Sequence, residues 1–251
     1  MTRISFKIDK TTLNLYQGHC LEVMKIIPNN IINLLASDPP YGTTQNKWDT
    51  IIPLEPLWQE IKRVLVENGN VVFTAAQPFT SQLILSNPQW FKYDMVWSKT
   101  IASGQLNVSS RPLRLHEDIL VFSEGMGTYN EQMTTGKPYR IIRKGEDFSG
   151  CYGVQKTHEK INDGVRHATS IIHVPNPRIK NGHPTQKPVD LFEYLIKTYS
   201  NEGDTVLDYC MGSGTTGEAC VKLKRNFIGI ELDKIWFDRS VERLKNVAIS
   251  I

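Results

Sequence analysis

Two clusters in the 251-residue chain carry residue types that could do chemistry. The first is Ser37-Asp38-Pro39-Pro40-Tyr41-Gly42, which comes directly after the apolar run of residues 31–36. Proline lacks an N–H and fixes its own φ, so two in a row end a strand and hold the next residues rigid. The residue before a proline is also driven out of the α region. Asp38 and Tyr41 are thus presented on a stiff corner at the carboxyl end of a strand, where open α/β sheets bind ligands. A proline-rich turn with a solvated Asp and a packed Tyr would read the same way, and the tetrapeptide alone leaves both open.

The second cluster is Gly212-Ser213-Gly214-Thr215-Thr216-Gly217, with Glu231 at the end of the next apolar run. It satisfies G-x-G-x-x-G between a predicted strand and a predicted helix, with an acid placed for ribose hydroxyls. No Gly-Lys-Ser/Thr closes the loop, so a Walker A reading fails. The pattern admits NAD, and equally another adenosine-bearing cofactor such as S-adenosylmethionine. The short stretch after Gly217 holds only a helix, a strand and one more helix. A second half-sheet must therefore come from upstream, where the SDPPYG corner sits.

The elements that position these clusters are legible as hydrophobic patterns. Residues 31–37, 70–75, 93–98, 118–123, 205–209 and 226–232 read as strands. Helices are expected over 53–67, closed by Asn68-Gly69, over 79–85 and 188–199, after the glycine loop 211–217 as far as Lys224, and over 234–247. Residues 124–181 are Gly-rich and charged, without sustained periodicity, and read as an insertion. Strands alternating with helices on both sides of it predict an α/β fold with a mostly parallel sheet covered on both faces.

Composition is ordinary for a globular protein, with a formal net charge of +3. No apolar run approaches a membrane span and the N-terminus lacks a signal-peptide core, which predicts a cytoplasmic protein without membrane association. The four cysteines, Cys20, Cys151, Cys210 and Cys220, lack C-x-x-C spacing, so neither a metal site nor disulfides are expected. Between Lys137 and Lys180 nine Lys/Arg face four acids. A solvated loop face would look like this, and so would a surface for nucleic acid.

Three blocks in this order resemble the amino-group DNA methyltransferases, which act on adenine N6 or cytosine N4. They are DPPYG at 38–42, HPTQKP at 183–188, and LDYCMGSGTTGEAC at 207–220 with IGIELD at 228–233. The arrangement is similar to the permuted, beta-class order, in which the DPPY motif precedes the S-adenosylmethionine motif. The resemblance implies a Rossmann-like S-adenosylmethionine-dependent methyltransferase fold. It divides the chain into a catalytic half (1–123), a target-recognition insertion (124–182) and a cofactor half (183–251).

By the same resemblance Asp38, Pro39, Pro40 and Tyr41 are catalytic, on a base flipped out of duplex DNA. Gly212, Ser213, Gly214 and Thr215 lie by the cofactor, with Asp208 and Lys187 near its amino and carboxylate ends. Glu231 takes the ribose, and Thr185 and Gln186 contribute. Arg111, Arg114, Lys137, Arg140, Arg143, Lys144 and Lys156 are expected on DNA phosphates. Asp in the first motif position implies adenine N6, with cytosine N4 as the alternative. Cytosine C5 chemistry is disfavoured, since no cysteine comes after a proline. A homodimer and a companion restriction endonuclease are compatible partners. His19 stands where the family often has Asp, which bears on the adenine contact. An NAD-dependent oxidoreductase and a catalytically inactive DNA-binding module stay open as rivals.

Overall fold

The structure is a computed structural model and describes residues 1–46, 48–143, 145, 156–177 and 186–250. Contacts divide it into two compact units, Met1–Asn130 with Ser170–Ile251, and Glu131–Thr169.

The first unit is built on one nine-stranded sheet. In chain order its elements are β1 (Thr2–Ile8), β2 (Thr11–Gln17), α1 (Cys20–Met24), β3 (Ile32–Ser37), α2 (Leu54–Val64), β4 (Leu65–Ala75), α3 (Phe79–Ser86), β5 (Phe91–Ser103) and β6 (Arg114–Ser123). The second unit holds β7 (Thr134–Thr135), β8 (Tyr139–Arg143), β9 (His158–Asn162) and β10 (Val165–Arg166). The first then resumes with β11 (Ile171–His173), α4 (Val189–Tyr199), β12 (Thr205–Asp208), α5 (Thr215–Lys222), β13 (Asn226–Glu231) and α6 (Lys234–Ser250).

Spatial order in the sheet is β1-β2-β13-β12-β3-β4-β6-β5-β11. Strands β2, β13, β12, β3 and β4 are mutually parallel, and β6 runs antiparallel between β4 and β5. The carboxyl ends of β3, β12 and β13 therefore share one edge with the start of β6. This brings the distant 38–42 and 212–217 segments together. Strand β3 can sit in the middle because its residues are nearly all buried, as expected of a strand covered on both faces.

Each face carries its own core. Leu191, Phe192 and Leu195 of α4, Ala219 and Cys220 of α5, and Phe237 and Leu244 of α6 pack on one side. Val23 and Met24 of α1, Leu57, Trp58 and Ile61 of α2, and Phe79 and Leu83 of α3 pack on the other. The apolar positions of α2 recur at i, i+3 or i+4, and i+7, which accounts for its helical state.

The structure differs from the sequence expectation at several boundaries. Helix α2 ends at Val64, and Asn68-Gly69 lie inside β4, where the pairing with β3 shifts register and Asn68 takes φ 58. The β5–β6 hairpin is longer than expected and absorbs much of the expected loop between its strands. The hairpin β1–β2 and strand β11 escaped the hydrophobic pattern. Residues 124–130 and 170–177 fall in the first unit, so the separate unit is narrower than 124–182. It also contains two small antiparallel sheets, β7–β10 and β8–β9.

The loop after β12 is fixed by β13, since the Met211 N–H donates to the Ile230 carbonyl at 2.9 Å. Gly229 makes this approach possible: a Cβ there would fall 2.4 Å from Met211 Sδ and 2.6 Å from Phe227 Cε1. Gly229→Val is expected to destabilise the protein by roughly 1–3 kcal/mol through overpacking. The shift in the urea midpoint measures it.

Candidate active site

Strand β3 delivers Asp38 to the sheet edge, and the loop beyond Tyr41 folds back on Asp49. The Asp49 carboxylate accepts the N–H groups of Gly42 at 2.8 Å, Thr43 at 2.9 Å and Thr44 at 2.7 Å. Burial opposes its ionisation, but these bonds and the Thr44 side chain outweigh it and hold its pKa below the usual value.

Three donors fix the Asp38 carboxylate. Tyr41 Oη donates to Oδ1 at 2.7 Å, Thr74 Oγ1 also donates to Oδ1, and Lys187 Nζ donates to Oδ2 at 2.7 Å. A carboxylate has about four lone-pair positions. Oδ2 thus keeps one acceptor site, and the corner holds it still. The Tyr41 ring is stacked on Phe79 with centroids 5.6 Å apart.

Behind Asp38 lies a second carboxylate. Glu117 of β6 accepts Lys99 Nζ at 3.0 Å and Tyr41 Oη at 3.3 Å, and pairs with Lys187 Nζ at 3.2 Å. Burial opposes the charge on Glu117, yet Lys187 and Lys99 together hold its carboxyl below the ordinary range. For Lys187, burial alone would depress the ammonium, and Asp38 and Glu117 instead push its pKa up. Burial, and then the charges of Asp38 and Glu117, raise the Tyr41 hydroxyl well above its ordinary value. Glu117 and Lys187 therefore stay charged, and Tyr41 stays a donor.

The glycine-loop side differs from expectation in two residues. Asp208 is enclosed, 3% exposed, and commits its carboxylate to Ser37 Oγ at 2.6 Å, Thr216 Oγ1 at 2.6 Å and the Cys210 N–H at 3.1 Å. It braces β3, β12 and α5 against one another. Lys187 meets the loop through its backbone, whose carbonyl accepts Thr215 Oγ1 at 3.4 Å, while its ammonium points to the catalytic corner. Arg243 of α6 clamps the loop from behind, on the Ser213 carbonyl at 3.1 Å and Ser213 Oγ at 3.2 Å. Gly214, at φ 80, precedes α5 as its cap.

Glu231 Oε2 accepts the Gly212 N–H at 2.9 Å and Oε1 the Asp233 N–H at 2.8 Å. Burial raises its pKa. Glu231 thus fastens the glycine loop to the end of β13, and the Gly214 N–H is bonded to the Met211 carbonyl at 2.8 Å.

Both halves open on one cleft of about 1220 Å³. Asp38, Pro39, Pro40 and Tyr41 line it, as do Gln186, Lys187, Glu231 and the exposed His19. Arg114 lies at its edge and Arg111 is exposed on the β5–β6 turn. In the second unit Lys137, Arg140, Arg143 and Lys156 are exposed, with Arg140 paired to Glu159. Thr185 and Lys144 lie outside the described residues. Thr74, Lys99, Glu117 and Arg243 escaped the sequence reading. Only Glu117 left a signal there, as a carboxylate at the start of a strand that becomes fully apolar.

A family model for DNA methylases, N6_N4_Mtase, matches residues 32–242. The chain belongs to this family. The type II methyltransferase M.HpaI of Haemophilus parainfluenzae is 28% identical over 241 residues, covering 90% of this chain and 72% of its own length. M1.MboII of Moraxella bovis, also a type II methyltransferase, is 28% identical over 241 residues, covering 87% and 91%. Among solved structures, M1.HpyAVI in complex with S-adenosylmethionine matches with a TM-score of 0.64 at 26% identity, over 92% of this chain and 100% of that one. The cytosine-N4-specific PvuII methyltransferase gives 0.66 at 14% identity, over 94% and 91%, a likeness of fold alone. The architecture is the Rossmann-like fold of S-adenosylmethionine-dependent DNA methyltransferases.

Glu117→Gln would leave Lys99 without its buried counter-charge. The variant should be less stable by about 3 kcal/mol in urea unfolding; an unchanged midpoint would mean that water already screens the cluster. Asp208 gives a pH signature. Burial raises its carboxyl from the ordinary 3.8 to about 6, so the native state binds more protons than the unfolded chain between those values. Stability should fall as pH rises from about 4 to 6, and Asp208→Asn should flatten that fall in denaturation profiles.

Proposed function

We propose that the protein is a site-specific DNA methyltransferase acting on the exocyclic N6 amine of adenine, of the beta-class order with the DPPY motif ahead of the cofactor motif. The observation that carries the reading is the acceptor position left on Asp38 Oδ2, held by Lys187, Thr74 and Tyr41 at the mouth of the cleft.

An aminopurine nitrogen is a weak nucleophile because its lone pair is delocalised into the ring. Asp38 accepts one amine N–H, and the carbonyl of Pro39 is the second acceptor that the rigid corner supplies. Together they turn the lone pair out of the ring plane and aim it along the cleft. Positive charge that develops on the nitrogen is stabilised by the Asp38 carboxylate. Bound S-adenosylmethionine supplies an electrophilic methyl group on a sulfonium. Glu231 would hold its ribose hydroxyls, and Gln17 to Cys20 and Asp233 form the adjoining wall of the cleft. His19 there favours a stacking or single hydrogen-bond contact over the double acceptor of an Asp.

The basic residues of the second unit are read as phosphate contacts of a target-recognition element. A companion restriction endonuclease is in keeping with the relatives named type II methyltransferases; action in the cytoplasm and a homodimer, to be sought by sedimentation, rest on the sequence resemblance alone. Asp rather than Ser at position 38 favours adenine over cytosine N4.

The test is incubation with unmethylated plasmid and methyl-labelled S-adenosylmethionine, and then nucleoside analysis. Label in N6-methyladenine is expected. Label in N4-methylcytosine would overturn the base assignment, and cofactor binding without transfer would favour an inactive binding module. Asp38→Ala should abolish transfer with cofactor affinity near wild type, whereas Glu231→Ala should weaken cofactor binding about tenfold or more.

A further inference from the structure

The β5–β6 hairpin belongs to the site at its base. Lys99 and Glu117 pair there, and Ile101, Ser103 and Arg114 line the cleft just beyond. Past these residues the chain closes into an ordered tip. Gly104 takes φ 94 ahead of a single 3₁₀ turn at Gln105–Asn107. The tip is held by the Asn107 N–H on the Gly104 carbonyl at 2.9 Å, the Arg111 N–H on the Asn107 carbonyl at 3.0 Å, and Gln105 Nε2 on the Ala102 carbonyl at 2.6 Å.

This framework presents apolar groups outward. Leu106 is 98% exposed and Val108 62%. One exposed leucine is ordinary on a protein surface. The setting is not: from Lys99 to His116 the sequence has Lys99, Arg111, Arg114 and His116 and no Asp or Glu. An apolar point on a hairpin tip that carries Arg111 and Arg114 and no acid between residues 100 and 116 suits a polyanion that can admit an apolar group between its layers, which is the base stack of duplex DNA.

We infer that Leu106 is a wedge that enters the DNA duplex where the target base leaves, with Arg111 and Arg114 on the flanking phosphates. The inference rests on the proposed DNA-methylation function. Unstacking and unpairing a base costs a few kcal/mol, and a side chain that fills the vacated space offsets part of it. Leu106 lies seven positions beyond Lys99, a span of at most about 25 Å, so the tip can lie on the duplex while the extruded base reaches Asp38.

The test uses the full chain and duplex oligonucleotides carrying the site mapped on methylated plasmid. One duplex is fully paired, and the other has an abasic position opposite the target base, so that extrusion costs less. Leu106→Ala should slow single-turnover transfer roughly tenfold or more on the paired duplex and recover to within about twofold of wild type on the abasic one. An equal rate on the paired duplex, or the same loss on both, overturns the wedge. Loss on both together with a change of sedimentation from dimer to monomer would make the tip a contact between copies and also overturns it. Absence of any label on the plasmid, which would leave no site to map, would instead refute the methyltransferase reading itself.

Discussion

The site depends on one buried ammonium. Lys187, in the segment leading into α4, reaches between Asp38 after β3 and Glu117 at the start of β6, and bonds both at 2.7 and 3.2 Å. Two carboxylates on neighbouring elements would repel in a desolvated edge, and each would gain by protonation. The ammonium between them, with Lys99 on the far side of Glu117, offsets that repulsion, and Lys187, Tyr41 and Thr74 hold the Asp38 carboxylate in place as a hydrogen-bond acceptor. The single Tyr41 hydroxyl proton goes to Asp38 at 2.7 Å, with Glu117 at 3.3 Å as the nearby alternative acceptor.

The sheet makes this convergence possible. Parallel pairing of β3 with β12 and of β12 with β13 sets the ends of all three strands side by side. Ser37 and Asp208, which end β3 and β12, bond each other directly, so the Asp-Pro-Pro-Tyr corner and the glycine loop are mechanically one object. Glu231 adds the third strand by accepting the Gly212 N–H. The bracing by Asp208 carries an unfavourable burial of charge, the kind of local cost that a functional edge tolerates.

Much of this was legible in the sequence, for identifiable reasons. Continuous apolar runs announced β3, β12 and β13, and 3.6-residue spacing announced α2 and α4. Proline, glycine and acid placement marked both halves of the site. The features that escaped depend on tertiary pairing. Strands β1 and β2 do alternate, Ile4, Phe6 and Ile8 against Arg3, Ser5 and Lys7, and Leu13 and Leu15 against Thr12 and Asn14. A search for continuous apolar runs passes over that period-two signal, and β11 is three residues long. Thr74, Lys99 and Glu117 are ordinary in sequence and gain meaning only where β4, β5 and β6 lie beside β3. Asp208 and Lys187 carry recognisable motif positions, but a motif does not say which way a side chain points. Asp208 turns inward to Ser37 and Thr216, and the Lys187 ammonium turns to the carboxylates.

That last placement is the most direct point of test. The measurement is single-turnover methyl transfer to plasmid DNA by Lys187→Met, at saturating S-adenosylmethionine, beside its affinity for the cofactor. If Lys187 orients Asp38, the transfer rate falls by about tenfold or more while cofactor affinity stays near that of wild type. If instead the variant loses cofactor affinity and keeps its rate at saturation, Lys187 serves the cofactor, and its role in orienting Asp38 is contradicted.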